Sequence, residues 1–276
     1  MSGSPLVTVI TTVYNKRETI YDSIKSVCNQ DYPDIEYIIV DDGPNNIEDE
    51  LILNYYNNLD KRVNSLKIIH NTFNLGISES LNVAVHASTG NYILKLADDD
   101  CFYDEHVISD WIKEFEKTNA QIITASIAVC SKDLKVIKNI APPPSEINAI
   151  VSKDPSELFE YMVGYNRIFG CSTAYTKAIL CDYPFISEYK IIEDYPHVMK
   201  LLHNNIKVHY YNRIVIKYRE GGISSISNID SRYLNESDLI FRKEILPYTK
   251  KKIVALIKYH KWKRNLQRYQ KQRQDV

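Results

Sequence analysis

The chain has 276 residues, 44% of them hydrophobic and 25% charged, with a formal net charge of −1. That composition excludes a disordered or collagen-like chain and is long enough for one large core. A near-neutral chain offers no global field for nucleic acid or acidic partners, and the absence of both G-x-G-x-x-G and G-x-x-x-x-G-K-[ST] removes the dinucleotide and P-loop fingerprints.

In chain order, Leu6 to Thr11 is a β-branched apolar run that predicts a buried strand, ending in Thr12-Val13-Tyr14-Asn15. Asn15 and Glu18 stand at capping-box spacing before a helix over Arg17 to Asn29, with Ile20, Ile24 and Val27 at helical period. Ile35 to Val40 reads as a second buried strand ending in Asp41-Asp42-Gly43, Ile47 to Leu59 as a helix, and Leu66 to His70 as a third strand. A loop with Asn74 and Gly76 precedes a helix over Ser78 to Ala87. Then come a strand over Asn91 to Leu96 ending in Asp98-Asp99-Asp100, a helix over Asp104 to Lys117 and a strand over Gln121 to Ala128. This alternation predicts a mostly parallel sheet with helices on both faces. Pro142-Pro143-Pro144 predicts an extended loop. Beyond it the pattern gives a helix near Pro155 to Tyr165, a strand near Ser172 to Thr176 and a helix near Asp194 to Asn204. Two strands near Lys207 to Tyr211 and Ile214 to Tyr218 follow, then a helical tail from about Ser231.

The five cysteines are scattered without C-x-x-C, which predicts small buried apolar residues and a reducing, cytoplasmic home. No signal-peptide pattern opens the chain and no apolar run reaches bilayer-spanning length. Charge is unevenly distributed: Arg242 to Val276 holds 12 Lys/Arg against 2 Asp/Glu, leaving 22 against 33 in the rest. The basic tail, with Ile253, Leu256, Ile257 and Trp262 among its lysines, suits an anionic membrane surface; the other reading is a solvated helix that packs its apolar stripe on the acidic body or binds RNA nonspecifically.

In open α/β sheets ligands bind outside the carboxyl ends of the strands. Three polar clusters lie at such ends: Thr12/Tyr14/Asn15, Asp41/Asp42 and Asp98/Asp99/Asp100. Three successive carboxylates repel one another unless a cation joins them, and hard oxygen ligands suit Mg²⁺ or Mn²⁺; a solvated turn is the other reading. Asp41 and Asp42 fit either a plain turn at Gly43 or acceptors for a base or ribose. Tyr14 is placed to stack on a base and Thr12 and Asn15 to bond its edge, or all three simply end a strand. Glu193-Asp194 opens a helix, either as favourable charge at its N-terminus or as a general base.

Taken in order, Val9-Ile10-Thr11-Thr12-Val13-Tyr14-Asn15, Val40-Asp41-Asp42-Gly43, Asn74-Leu75-Gly76 through Leu81-Asn82, Gly90-Asn91-Tyr92 into Leu96-Ala97-Asp98-Asp99-Asp100, and Glu193-Asp194 resemble family 2 glycosyltransferases of the GT-A fold. Tyr218-Arg219 with Gly221-Gly222-Ile223-Ser224 resembles the closing segment of bacterial members. The resemblance implies a Rossmann-like GT-A domain over 1–226, with a nucleotide-sugar half (1–128), an acceptor half (129–226), and a basic helical tail over 227–276. It implies an inverting displacement from a nucleoside-diphosphate sugar, usually a UDP-sugar, in cell-surface polysaccharide synthesis. The acceptor would be a glycan or a lipid-linked hydroxyl, and the enzyme would be cytoplasmic or peripheral at the inner membrane face, with no specific nucleic acid.

By position, Thr12, Tyr14, Asn15, Asp41, Asp42, Asn74, Gly76 and Asp98 would hold the nucleotide sugar. Asp99, with Asp98 and Asp100, falls on the D-x-D metal motif, and Asp194 would be the base. Ala97 stands where many members carry the first Asp of Leu-Asp-x-Asp-Asp, and Leu81 where many carry Arg. Lys95 and Arg219 are therefore the candidates for neutralising the diphosphate. A nucleotidyltransferase on a similar sheet, or a non-catalytic binding subunit, are the competing functions; the loop after the first strand lacks the glycines the former usually has.

Overall fold

Alternation within the first strands decides the centre of the molecule. The computed structural model describes residues 3–15, 18–43, 47–59, 63–222 and 231–274. In β1 (Val7–Val13), Val7, Val9 and Val13 face one core while Ile10 faces the other; in β2 (Ile35–Asp41), Tyr37 and Ile39 face the first and Ile38 and Val40 the second. A strand apolar on both faces needs cover on both, which is why these two lie inside a layered α/β sheet.

The described residues form nine strands. β3 (Val63–His70), half exposed, takes the edge beside β2; β4 (Tyr92–Lys95) lies on the other side of β1, and all four run parallel. β5 (Cys101–Phe102), β6 (Ile122–Cys130), β7 (Ile137–Ala141), β8 (Thr173–Thr176) and β9 (His209–Arg219) complete a mixed sheet of order β3-β2-β1-β4-β8-β6-β9-β5, with β7 paired to β6. β8 is antiparallel to both β4 and β6, and β9 runs parallel to β6. The helices α1 (Ile20–Cys28), α2 (Asp49–Asn57) and α4 (Val107–Thr118) cover one face. The other face is covered by α3 (Ile77–Ala87), α5 (Pro144–Ser152), α6 (Pro155–Met162), α7 (Lys177–Asp182) and α8 (Asp194–His203).

Several expectations change. The three-proline segment is no extended loop: β7 ends just before it and α5 starts at Pro144, where a missing N–H costs nothing because the first helical N–H groups have no partner anyway. The two strands expected between 207 and 218 are the single β9; a bulge against β6 absorbs Asn212-Arg213, the polar pair that suggested a break. The Asn15/Glu18 capping box does not form, because α1 starts later, after Thr19, and Asn15 adopts a left-handed φ of +65°. None of the five cysteines is in a disulfide; Cys28, Cys101 and Cys130 are buried as expected, whereas Cys171 is half-buried and Cys181 exposed.

The expected tail is divided. α9 (Ser231–Ile240), a π-helical turn over Phe241–Ile245 and the start of α10 (Lys252–Gln274) pack Ile240, Phe241, Ile245, Ala255 and Tyr259 into the core on the α3/α8 face. The Glu236 carboxylate on α9 accepts the N–H groups of Lys190, Ile191 and Ile192, at 2.9, 2.9 and 2.6 Å. Residues 231–262 therefore belong to the domain, and only the far part of α10 extends beyond it.

Gly90, just before β4, tests how tightly the central strands are set. A Cβ there would meet Thr8 N at 2.7 Å and Leu6 O at 2.9 Å, backbone atoms of the β1 segment that cannot swing aside. Gly90→Ala is expected to cost about 1–3 kcal/mol, read as a lower urea midpoint; an unchanged midpoint would contradict this packing.

Candidate active site

Parallel register brings the carboxyl ends of β1, β2, β3 and β4 to one edge. β8 enters from that edge, and β6 and β9 end there, with Cys130 opposite Arg219. The clusters at Thr12–Asn15, Asp41–Gly43 and Asp98–Asp100 therefore share one edge with Gly170-Cys171, Arg219 and the first turn of α8. Tyr14 is 43% exposed there, free to present its ring, while Thr12 is half-buried.

The Asp42 carboxylate is largely committed to the protein itself. Its Oδ1 accepts from Leu75 N–H (2.7 Å) and Asn71 Nδ2 (3.1 Å), and its Oδ2 from Gly76 N–H (2.9 Å). It fixes the loop between β3 and α3 onto the end of β2. Asp41 is fully buried and holds His70 Nδ1 at 3.0 Å, so it points into the protein and not into open space. Gly76 has φ +87°, and a Cβ there would lie 2.6 Å from Lys190 Cα, so this loop is pressed against the segment leading to Glu193. Asn74 beside it is exposed.

The acidic run forms a turn after β4, with Asp100 N–H on Ala97 O. Asp99 is half-buried, Asp98 is 8% exposed and Asp100 is 1% exposed. Among the described residues no three His, Cys, Asp or Glu side chains gather into a ready cation cage. In a turn, successive side chains diverge: Asp100 points inward, where its Oδ1 accepts Arg219 N–H at 2.8 Å. Burial, then the Asp99 charge, pushes its carboxyl well above the usual range. Arg219 is committed as well: Nε donates to Asp99 O (2.7 Å), Nη2 to Asp22 Oδ2 (2.7 Å), and Nη1 to Lys132 O. It clamps the acidic turn to β9 and α1 and is not a free cation for a diphosphate.

Lys95 is equally committed. It closes β4, is buried, and pairs with Glu193 at 3.1 Å, with its ammonium 4.9 Å from the Phe185 ring centre. Next to that pair, the Asp194 carboxylate accepts from Gly170 N–H (3.0 Å), Asn166 Nδ2 (2.9 Å) and its neighbour Tyr195 N–H (2.6 Å). Burial and the Glu193 charge push Asp194 up to about 6, against the opposing pull of Lys95 and the N–H donors. A Cβ at Gly170 would meet Glu193 Oε1 at 2.6 Å and Asp194 Cβ at 2.9 Å, so the cluster has room only for glycine. The thiol of Cys171 is raised by burial and then by the charges of Asp100 and Asp194.

Sequence reasoning missed Asn71, Asn166 and Gly170, and gave Lys95 a different partner. Two signals were available: a lysine ending an otherwise apolar strand needs a buried counter-charge, and in a chain with few glycines each one marks a tight contact.

Comparison with known proteins identifies the family and the fold. The chain matches the profile of glycosyl transferase family 2 over residues 8–183. The chain belongs to glycosyl transferase family 2. An uncharacterized glycosyltransferase of Haemophilus influenzae is 26% identical over 271 residues, covering 94% of this chain and 78% of that one. The Escherichia coli UDP-Glc:alpha-D-GlcNAc-diphosphoundecaprenol beta-1,3-glucosyltransferase WfaP is 28% identical, covering 85% of each chain. S. aureus TarS 1–349 in complex with UDP-GlcNAc superposes with a TM-score of 0.66 at 18% identity, covering 93% of this chain and 71% of that one; of the longer TarS chain 41% is covered. The mannosyltransferase PcManGT of Pyrobaculum calidifontis, in complex with GDP-Man and Mn²⁺, gives 0.65 at 16% identity, covering 93% and 70%. The fold is GT-A, and this family 2 member is a glycosyltransferase enzyme.

In the glycosyltransferase, opposite changes beside Asp194 should move its titration in opposite directions. Lys95→Met removes a positive charge and raises the Asp194 value above about 6; Glu193→Gln removes a negative one and lowers it. The double variant, having lost one of each, returns close to wild type. Carboxyl ¹³C NMR titration, with the Asp194 resonance assigned through Asp194→Asn, reads all three; shifts of the same sign in both single variants would refute this electrostatic account.

Proposed function

We propose that this glycosyltransferase acts on a nucleotide sugar, a UDP-sugar, and moves its sugar with inversion to a hydroxyl of a glycan or lipid-linked acceptor in cell-surface polysaccharide synthesis. The carrying observation is that Asp194, held by three N–H donors, sits over Gly170 beside the Lys95–Glu193 pair, and Lys95 closes the strand that the Asp98–Asp100 turn follows. In this reading a base and an anion-handling group share one strand edge. The E. coli relative, whose name specifies UDP-Glc and a diphosphoundecaprenol acceptor, supports the donor and acceptor classes.

The donor's base and ribose would lie at Thr12, Tyr14, Asn15 and Asp98. Asp42 and Gly76 shape that pocket through the loop they fix, Asp41 supports it from beneath through His70, and Asn74 stands at its exposed rim. A cation of the Mg²⁺ or Mn²⁺ type uses one or two protein carboxylates and leaves the rest of its shell to phosphate oxygens. Asp99 with Asp98 suits that donor set, and the structural neighbour with Mn²⁺ supports it. When bound, the metal supplies charge stabilisation to the departing diphosphate. Asp194 takes the proton of the acceptor hydroxyl as its oxygen bonds to the anomeric carbon and the bond to the diphosphate breaks, releasing the nucleoside diphosphate.

Asp194→Asn should lower transfer by about 10²–10⁴-fold, the usual worth of general-base help, while thermal shifts with UDP-glucose and UDP-GlcNAc stay as in wild type. Equal turnover in the variant removes Asp194 from the role. A base works only when ionised, so activity should fall as pH drops through about 6. Asp99→Asn should abolish the additional thermal shift that Mn²⁺ gives with UDP; if Mn²⁺ stabilises both proteins equally, Asp99 is not its ligand.

A further inference from the structure

α10 presents two unlike faces. One is docked: Ala255 is 1% and Tyr259 7% exposed, Tyr259 stacks on Phe241 with ring centres 4.1 Å apart, and Lys263 pairs with Asp238 at 2.5 Å. At 100° per residue, Ile253 and Ile257 lie opposite that stripe. They are 75% and 61% exposed, with Val254 and Leu256 beside them at 46% and 37%. This apolar surface is confined to the first two turns. Lys250, Lys251 and Lys252 precede it in the chain, and His260, Lys261 and Arg264 follow it on the isoleucines' side of the helix by the same count. Lys251, Lys252 and Lys261 make no ion pair among the described residues, whereas Lys250 and Lys258 bond toward α6.

We infer that this outward face of α10 is a docking surface for an anionic lipid bilayer. The occupant follows from charge. Isoleucines flanked by cations at both ends suit an interface where acyl chains and anionic headgroups meet. A second copy of the same basic segment would bring like charges together. Among the described residues no helix is long and apolar enough to cross a membrane, so α10 lies on the surface.

The location also matters. α10 packs against the loop after α6, where a Cβ at Gly164 would be 3.2 Å from Lys258 Cβ; two residues on, Asn166 holds Asp194. Docking through α10 thus sets the membrane beside the loop that borders the proposed base. This part rests on the lipid-linked acceptor proposed above; the lipid surface itself does not.

Flotation of the purified full chain with vesicles of phosphatidylcholine alone, or with three parts in ten phosphatidylglycerol, tests the surface without any sugar transfer. Wild type should float with the anionic vesicles only, and less in 0.5 M salt. Ile253→Ser/Ile257→Ser should reduce binding at least tenfold. Lys251→Glu/Lys252→Glu/Lys261→Glu should do the same, since each surface lysine is worth about fivefold. Both variants should keep the wild-type Tm, because the changed side chains are exposed. Failure of wild type to float, or unchanged flotation of the isoleucine variant, overturns the proposal. A dimer that the isoleucine variant converts to monomer in light scattering overturns it in favour of self-association. The thermal shift with UDP-glucose and UDP-GlcNAc, measured on the same samples, reports the donor-binding reading independently.

Discussion

A buried ammonium at the end of β4 organises the working edge of this enzyme. A charge removed from water needs a partner, and Lys95 finds one only if Glu193 is delivered from the far half of the chain. That requirement brings the start of α8 onto the strand edge, sets Asp194 over Gly170, and leaves no space there for a side chain larger than hydrogen. The same pair supplies opposite electrostatic pulls on Asp194: the adjacent Glu193 favours its proton, and Lys95 disfavours it. A carboxyl poised near neutrality is thus a product of the packing that closes the fold.

The other charged residues at this edge follow the same logic of internal commitment. Asp42 ties down a loop through backbone N–H groups, Asp41 orients His70, Asp100 takes the N–H of Arg219, and the Arg219 guanidinium joins three separate segments. Each of these side chains holds part of the protein in place at this edge. This leaves Tyr14, Thr12, Asn74 and Asp99 as the more accessible groups at the edge. Arg219 and Lys95 are both occupied, so neither is a spare cation for the diphosphate of the proposed reaction.

The C-terminal helices tie the second half of the domain together. Glu236 caps three successive N–H groups just ahead of Glu193, and α10 closes against the loop that carries Asn166. The basic segment is therefore continuous, through a few contacts, with the environment of Asp194.

What the sequence determined by itself is local. The apolar alternation of Val7–Val13 and Ile35–Asp41 specified central strands covered on both faces, and the polar residues after each strand marked the edge at which the proposed site lies. The ordered motifs from Val9 to Asp194 identified the family. Short-range patterns carry this information because periodicity and turn chemistry act within a few residues. Only the tertiary structure decided which carboxylates stay accessible, that Lys95 meets Glu193 across 98 positions, that β9 runs through its bulge as one strand, and that the supposed tail is anchored in the core through Ile240, Phe241, Ile245, Ala255 and Tyr259. Each of those outcomes depends on which distant group arrives to share a buried space or a charge, and the energy of such pairings is absent from any local window.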